Sequence, residues 1–158
     1  RQISDLLHEM PTITAPEVAR LGLIAALHRA IDNELAHAFD AVTWHVSPDA
    51  ETHVETIPTL TAEVIFYAAR EAVRNAAKYG RGEEDFCLQI QINWQDGLEI
   101  IIEDNGIGLG TAAPNSGSGH GLALHSTMMA VIGGELSINS LPGQYTRVIL
   151  SLAMKSNQ

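Results

Sequence analysis

The sequence predicts an α/β two-layer sandwich in which a mixed, mainly antiparallel sheet carries helices on one face. Residues 86–94 alternate strictly between apolar and polar side chains, and residues 98–102 form an apolar run that begins a second predicted strand over 98–103. The turn-prone pair Asp96-Gly97 lies between them, so the two runs indicate an antiparallel hairpin. Residues 61–79 carry apolar side chains at helical spacing, which indicates a helix with one face on that sheet.

The elements before this core follow from the same two periodicities. Residues 17–39 carry apolar side chains at roughly helical spacing and predict one helix of roughly five or six turns. Residues 41–46 predict a strand, which ends at Ser47 in a turn. Pro11 and Pro16 separate the predicted helix and strand from the first ten residues.

The elements after the core complete the sandwich. Residues 122–132 predict a helix that ends at Gly133-Gly134. A final hairpin is expected from residues 135–140 and 146–152, with the turn at 141–143. We therefore expect one domain over 17–158, preceded by the tail of another helix and a linker over 1–16.

Composition excludes several classes of protein. The hydrophobic fraction of 46% indicates a globular chain, and no apolar run has the length of a membrane span. We expect a soluble, cytoplasmic segment without direct membrane contact, within a parent protein that could be anchored elsewhere. A single cysteine, Cys87, excludes an internal disulfide and suits a reducing compartment. The net charge of -10 argues against binding to nucleic acid.

The few basic residues are unevenly placed. Four of the nine, Arg70, Arg74, Lys78 and Arg81, fall within twelve positions. An acidic chain that gathers positive charge in one place could receive a polyphosphate there. A solvated basic helix face is the alternative interpretation.

The helix over 61–79 carries a polar face beside its apolar one. At about 100° per residue, Glu71, Asn75 and Lys78 lie on one side of the helix. That side borders the apolar face, as the wall of a cleft would. A carboxylate, an amide oxygen and a cation at one edge of a cleft suit a metal ion shared with phosphate oxygens. The alternative is an exposed helix stabilised by pairs such as Glu71 with Arg74.

A second stretch, DNGIGLG at 104–110, follows the strand over 98–103. It places the carboxylate of Asp104 at a strand end, where glycines let backbone approach a bound group. A buried Asp needs a hydrogen-bond donor, and a purine amino group would serve. A simple turn is the alternative interpretation.

A third stretch, GSGHGLAL at 117–124, has alternating glycines and then opens a helix. Backbone N–H groups at a helix N-terminus favour anions, so phosphates could bind there. The order of residues is neither that of a Walker A loop nor that of a dinucleotide-binding fingerprint.

Together, the three stretches resemble the nucleotide-binding boxes of the GHKL superfamily of gyrases, heat-shock chaperones, histidine kinases and MutL proteins. The resemblance covers about residues 17–154 and is closest to the ATP-binding domain of bacterial sensor histidine kinases. The segment ARLGLIAALHRAI, within 17–39, resembles the linker in the nitrate-sensor-like branch of those kinases. This implies the Bergerat fold, with ATP and Mg²⁺ as ligands.

The resemblance also implies roles for particular residues. Asn75 would be the Mg²⁺ ligand, Lys78 would contact phosphate, and Glu71 would be a general base or a partner of metal-bound water. Asp104 would accept the adenine amino group, and Thr146 would hold water beside it. Residues 105–118 would form a lid. The expected ATP-binding residues are Asn75, Lys78, Tyr79, Asp104, Gly106, Gly108, Gly117, Gly119, His120, Gly121, Leu122 and Thr146.

The implied activity is transfer of the ATP γ-phosphoryl group to a histidine, followed by relay to a response regulator. That histidine would lie on a dimerisation domain absent here, and the full-length kinase would be a homodimer. His8, in LHEMP, only faintly echoes a phosphoacceptor motif and lies too close to the linker. A serine kinase of the anti-sigma-factor type and a nucleotide-binding module without chemistry are the alternatives.

Overall fold

The computed structural model describes residues 16–82, 84–108 and 118–154, and for residues 118–120 the backbone alone. The elements, with two short 3₁₀ turns at Ala36–Ala38 and Val54–Thr56, are α1 (Pro16–Leu21), α2 (Leu23–Glu34), β1 (Ala41–Val46), α3 (Pro48–His53), α4 (Thr59–Tyr79), β2 (Cys87–Trp94), β3 (Gly97–Asp104), α5 (Ser118–Val131), β4 (Gly134–Leu141) and β5 (Tyr145–Ala153).

Five strands form one sheet in the order β1-β2-β3-β5-β4. β1 pairs with β2 in parallel, and the other three pairs are antiparallel. The predicted mixed, mainly antiparallel sheet is confirmed. The parallel pair is possible because α3 and α4 form the crossover between β1 and β2.

The core lies between the helices and one face of this sheet. In β2 the side chains of Leu88, Ile90 and Ile92 are fully buried, whereas the alternate polar residues are half-exposed. The predicted inner face of α4 is buried as well, at Ile65, Ala69, Ala72, Val73 and Ala76. Both periodicities therefore gave the correct face, and the α/β sandwich with helices on one side is confirmed.

The single helix predicted over 17–39 is wrong. Gly22 has a φ of 90° and separates α1 from α2, because this backbone conformation cannot continue a right-handed helix. α2 then ends at Glu34, before a 3₁₀ turn. Leu23, Ala26, Leu27 and Ile31 of α2 are buried, whereas Ala25 is exposed.

One helix was not predicted, and another begins earlier than predicted. The turn expected at Ser47 starts α3 instead: the Ser47 hydroxyl accepts a hydrogen bond from the Ala50 N–H at 3.0 Å. Pro48 follows at the first helical position, where its missing N–H costs nothing. α5 begins at Ser118 rather than Leu122, so Gly121 lies inside the first turns of a helix.

The boundary at residue 16 stays a prediction, because residues 1–15 lie outside the described part. Within the described ranges, no helix combines the length and the apolar character needed to cross a bilayer.

Candidate functional site

A row of side chains crosses the sheet where β3 ends. Asp104 lies opposite Leu88 of β2 and Thr146 of β5, and Thr146 lies opposite Ser140 of β4. Directly paired residues share one face of a sheet, with Cβ atoms about 4.5–5.5 Å apart. Register alone thus brings Asp104, Thr146 and Ser140 together on the helix-facing side. Ser140 is absent from the sequence-based prediction.

Asp104 is a buried carboxylate, with 4% of its surface exposed. Its Oδ1 accepts a hydrogen bond from the Gly106 N–H at 2.9 Å. Burial raises the pKa of this carboxyl above 3.8; the Gly106 hydrogen bond opposes that shift, and the nearby Glu103 charge adds to it. A buried carboxylate with this environment favours a ligand that donates hydrogen bonds.

The glycines after Asp104 allow a close approach of three chain segments. A Cβ on Gly106 would overlap the Gly80 carbonyl oxygen at the end of α4. The Ile107 N–H donates to that same oxygen at 2.8 Å, and the Gly143 N–H donates to the Ile107 carbonyl at 2.6 Å. Gly108 has a φ of 78° and lies against the carbonyl of Leu141. The turn is thereby attached to α4 and to the β4–β5 hairpin.

Asn105 fixes the same turn to the start of β2. Its Oδ1 accepts the Cys87 N–H at 2.7 Å, and its Nδ2 donates to the Asp85 carbonyl at 3.1 Å. Its own N–H donates to the Cys87 carbonyl at 3.3 Å. The sequence-based prediction gave Asn105 no role, although an Asx side chain beside a glycine is a signal for this kind of backbone mimicry.

The predicted polar face of α4 is present, with different exposure at each position. Glu71 is largely buried, with 15% of its side chain exposed, and its Oε1 lies 3.3 Å from Nη1 of Arg74. Asn75 is half-buried, and its Nδ2 has no hydrogen-bond partner within the described residues. Lys78 is exposed, with its Nζ 5.5 Å from the centre of the Tyr79 ring. The Glu71–Arg74 pair that was the alternative interpretation is therefore present as well.

α5 joins the first and third stretches. A Cβ on Gly121 would overlap Oε2 of Glu71, so the absence of a side chain lets α5 lie on that carboxylate. One turn later His125 is 8% exposed, and its Nδ1 has no hydrogen-bond partner in the described part of the chain. Burial lowers the pKa of His125 below 6.5, and the charges of Arg70 and Arg74 lower it further.

The remaining predicted residues are described in part. Tyr79 is 40% exposed at the end of α4, and Leu122 is half-buried against the core. Gly117, the side chain of His120 and most of the predicted lid lie outside the described residues, and Gly119 is described only by its place in α5, so these assignments stay predictions.

Two open cavities lie elsewhere, both against α2, with volumes of about 630 and 370 Å³. The larger one has no lining residue on α4, and the smaller one also borders Phe66, Tyr67 and Arg70 of α4. Their polar lining consists of side chains such as Arg29, Asn33 and Glu34, which are exposed or half-exposed. Neither contains a buried, unpaired polar group like Asn75 or His125, so the motif-bearing region remains the better candidate.

Comparisons with known proteins point to the same region of the chain. Residues 61–156 match the model of the "Histidine kinase-, DNA gyrase B-, and HSP90-like ATPase" family. A sensor-type histidine kinase PrrB of Mycobacterium leprae is 27% identical over 166 residues, which cover 84% of this chain and 36% of that protein. The chain thus spans about a third of that curated relative.

Solved structures show the same fold. The blue-light-activated histidine kinase EL346 of Erythrobacter litoralis matches with a TM-score of 0.65 and 20% identity, covering 97% of this chain and 49% of that one. The histidine kinase AdeS of Acinetobacter baumannii matches with a TM-score of 0.63 and 15% identity, covering 98% and 80%.

The fold and the match over 61–156 define an ATP-binding α/β sandwich domain. The chain belongs to the histidine kinase-, DNA gyrase B- and HSP90-like ATPase family, and it is an ATP-binding domain of the kind that sensor histidine kinases carry. Its place in the nitrate-sensor-like branch stays a prediction.

Proposed function

We propose that this domain binds Mg²⁺ and ATP and transfers the γ-phosphoryl group to a histidine on the dimerisation domain of the same kinase. A response regulator would then take the phosphoryl group, within a homodimeric parent protein and in the cytoplasm. The observation that carries the proposal is the buried Asp104 carboxylate at the end of β3, in register with Thr146. It lies inside the segment that matches the ATPase family.

The end of the site around Asp104 would bind the adenine base. The amino group of adenine would donate to the Asp104 carboxylate, which now receives one hydrogen bond from Gly106. Such a bond would offset part of the cost of burying that carboxylate. Thr146 would contact the base or a bridging water, and Gly106 and Gly108 would form the floor beneath it.

The end around α4 would bind the metal and the phosphates. Asn75 fits a Mg²⁺ ligand through its amide oxygen, because its side chain is half-buried at the edge of the core and Mg²⁺ takes oxygen ligands. Few protein ligands are needed, since Mg²⁺ keeps several waters and shares phosphate oxygens. When bound, the ion would neutralise charge on the transferring group. Lys78, exposed at the end of α4, would contact phosphate together with the N-terminus of α5.

Glu71 would orient the attacking imidazole by holding the proton on its far nitrogen. The Glu71 carboxylate extends from α4 to the surface of α5. Arg74 of α4 pairs with one of its oxygens, and Gly121 of α5 lies against the other. This position would fix the direction of the carboxylate. A carboxylate with a fixed direction would hold the imidazole in the orientation that phosphoryl transfer needs.

Titration of Mg²⁺ and ATP into the chain by calorimetry tests the binding proposal. We expect clear binding by the wild type and a loss of at least about thirtyfold in Asp104→Asn, because an Asn can turn its NH₂ toward the adenine amino group. Asp96→Asn is the matched control, since Asp96 lies in the turn at the opposite end of β3 with a φ of 60°, which Asn accepts. No binding by a folded wild type, or equal binding by the Asp104 variant, would refute the proposal.

The transfer step needs a separate test, with the histidine-bearing dimerisation domain of the parent kinase as acceptor. We expect acid-labile, base-stable phosphate on that domain and none on the isolated chain. Stable phosphohistidine on the chain itself would contradict the assignment of the acceptor to another domain. Acid-stable phosphoserine on an added protein would support the serine-kinase alternative instead.

A further inference from the structure

Asp40 joins the segment before β1 to the segment before β2. Its N–H donates to the Phe86 carbonyl at 2.7 Å, and its Oδ2 accepts the Phe86 N–H at 2.7 Å. These two bonds extend the parallel pairing that begins with Ala41 and Cys87 by one residue. A side-chain oxygen therefore supplies the acceptor that the backbone N–H of the buried Phe86 needs.

Arg81 adds a second connection between the same two segments. Its Nη1 donates to the Asp40 Oδ2 at 3.3 Å, and its Nη2 donates to the Ala38 carbonyl at 3.1 Å. Its guanidinium carbon lies 5.2 Å from the centre of the Phe86 ring. The Phe86 N–H, and after it Arg81, hold the pKa of Asp40 below its usual 3.8. The two side chains are therefore both charged at neutral pH, and we refer to Asp40, Arg81 and Phe86 as the Asp40 cluster.

The Phe86 ring extends from this cluster to the turn after Asp104. The ring is 1% exposed and stacks on Phe39 with the ring centroids 4.9 Å apart. A Cβ placed on Gly106 would lie 2.8 Å from the Phe86 Cε1, and one placed on Gly80 would lie 2.7 Å from its Cζ. The ring thus packs against both backbone segments that meet beneath the proposed adenine pocket.

Hydrogen bonds connect this contact to the Asp104 carboxylate. The Gly80 carbonyl accepts the Ile107 N–H at 2.8 Å, and the Gly106 N–H donates to the Asp104 Oδ1 at 2.9 Å. Close-packed interiors transmit small displacements, so a shift of the Phe86 ring would move this turn. The direction of the Asp104 carboxylate would change with it.

We propose that Asp40 and Arg81 are positioning residues for the base end of the site: they hold the Phe86 ring against Gly106, and thereby fix the geometry in which Asp104 meets the base. This role rests on the proposed nucleotide-binding function and adds to it. Neither residue contacts the nucleotide, because both act through Phe86 and the turn.

Amide hydrogen exchange of the full chain without ligand tests the structural part of this role. In Asp40→Ala, we expect the Gly106 and Ile107 amides to exchange about tenfold faster than in the wild type. The amides of Val148 and Leu150 in β5 should keep their rates. Asp40→Asn should give a smaller increase, because an amide oxygen can still accept the Phe86 N–H.

Calorimetric titration with Mg²⁺ and ATP tests the effect on the ligand. We expect the dissociation constant of ATP to rise by about fivefold in Asp40→Ala and in Arg81→Gln. Should Asp40→Ala not fold, Arg81→Gln decides both measurements, since it changes an exposed side chain. In the double variant the two effects should add to less than their sum, because the residues act in one cluster.

Glu17→Ala is the matched control. Glu17 pairs with Arg20 on α1 at 2.8 Å, and its side chain is 45% exposed, against 47% for Asp40. Removal of this ion pair should change neither the exchange rates of Gly106 and Ile107 nor the affinity for ATP. The same changes in Glu17→Ala as in Asp40→Ala would contradict the role of the Asp40 cluster.

The remaining outcomes separate this role from the function on which it rests. A folded wild type that does not bind ATP refutes the proposed function, whereas the exchange rates, which need no nucleotide, still decide whether the cluster holds the turn. Unchanged exchange in the Asp40 and Arg81 variants, or unchanged ATP affinity, refutes the positioning role alone. Equal acceleration of the β5 amides would indicate a general loss of stability and also overturn it.

Discussion

The base end and the phosphate end of the candidate site are built differently. At the base end, strand register and backbone contacts hold Asp104, which is 4% exposed. At the phosphate end, one helix lies on another, and the polar side chains range from the largely buried Glu71 to the exposed Lys78. The first end depends on a ladder of hydrogen bonds, and the second on a contact between α4 and α5.

This difference indicates how each end responds to change. Protein interiors transmit small displacements because they are close-packed. A substitution at the base end should therefore lower the stability of the whole domain. A helix contact that involves long, partly solvated side chains can adjust. Changes at the phosphate end should therefore affect phosphoryl transfer more than folding.

Gly106→Ala gives the largest expected effect and tests the rigidity of the base end. The new methyl group would overlap the Gly80 carbonyl oxygen and contact the Phe86 ring, and backbone cannot move aside as a flexible side chain can. We expect the free energy of unfolding to fall by about 3 kcal/mol or more, as measured by urea denaturation.

Gly133→Asn is the control for Gly106→Ala, because Gly133 has a φ of 87° and open space around it, which Asn tolerates. A loss below about 1 kcal/mol in Gly106→Ala would mean that the base end can adjust after all, and the contrast between the two ends would not hold.

Gly121→Ala tests the phosphate end. The methyl group would displace the Glu71 carboxylate, while alanine favours a helix, so we expect the free energy of unfolding to change by less than about 1 kcal/mol. We expect phosphoryl transfer to the acceptor histidine to slow by roughly a hundredfold, with ATP affinity changed less than about fivefold.

Ala123→Ser is the matched control for Gly121→Ala, since Ala123 is exposed on nearly the opposite side of α5. Unchanged transfer in a folded Gly121→Ala protein would show that the position of Glu71 has no part in the reaction.

His125 gives the smallest effect, a dependence of stability on pH. Because its folded pKa is lowered by burial and by Arg70 and Arg74, the unfolded chain takes up the proton first as pH falls through 6.5. We expect the free energy of unfolding to decrease from pH 7 to pH 5, and to decrease less in His125→Leu. Arg70 and Arg74 on α4 are the charged groups that act on His125, and Glu71 of the same helix lies against Gly121 one turn earlier on α5.

His37→Gln is the control for His125→Leu, as His37 is an exposed imidazole outside the α4–α5 contact. Chemical denaturation at several pH values measures the difference. The same pH dependence in His125→Leu and the wild type would refute the assignment.

Much of the fold could be predicted because local periodicity records which face is buried. The alternation in β2 and the helical spacing in α4 each correspond to a buried face. The break at Gly22 could not be predicted, because glycine is tolerated within helices and only its φ of 90° separates α1 from α2. The parallel pairing of β1 with β2 depends on contacts far apart in the chain.

The candidate site also has residues that local sequence reveals and residues that it does not. Asp104 and the polar face of α4 could be located because each lies within a short motif. Ser140 and the contact of Gly121 with Glu71 could not, since they depend on strand register and on helix packing between distant segments. For that reason, spacing alone did not reveal the neighbours of the motif residues.

The three hydrogen bonds of Asn105 have a consequence for the thermodynamics of binding. They hold the turn after Asp104 against β2 before any ligand arrives. A ligand that enters this end of the site therefore orders little backbone, and little conformational entropy is lost there.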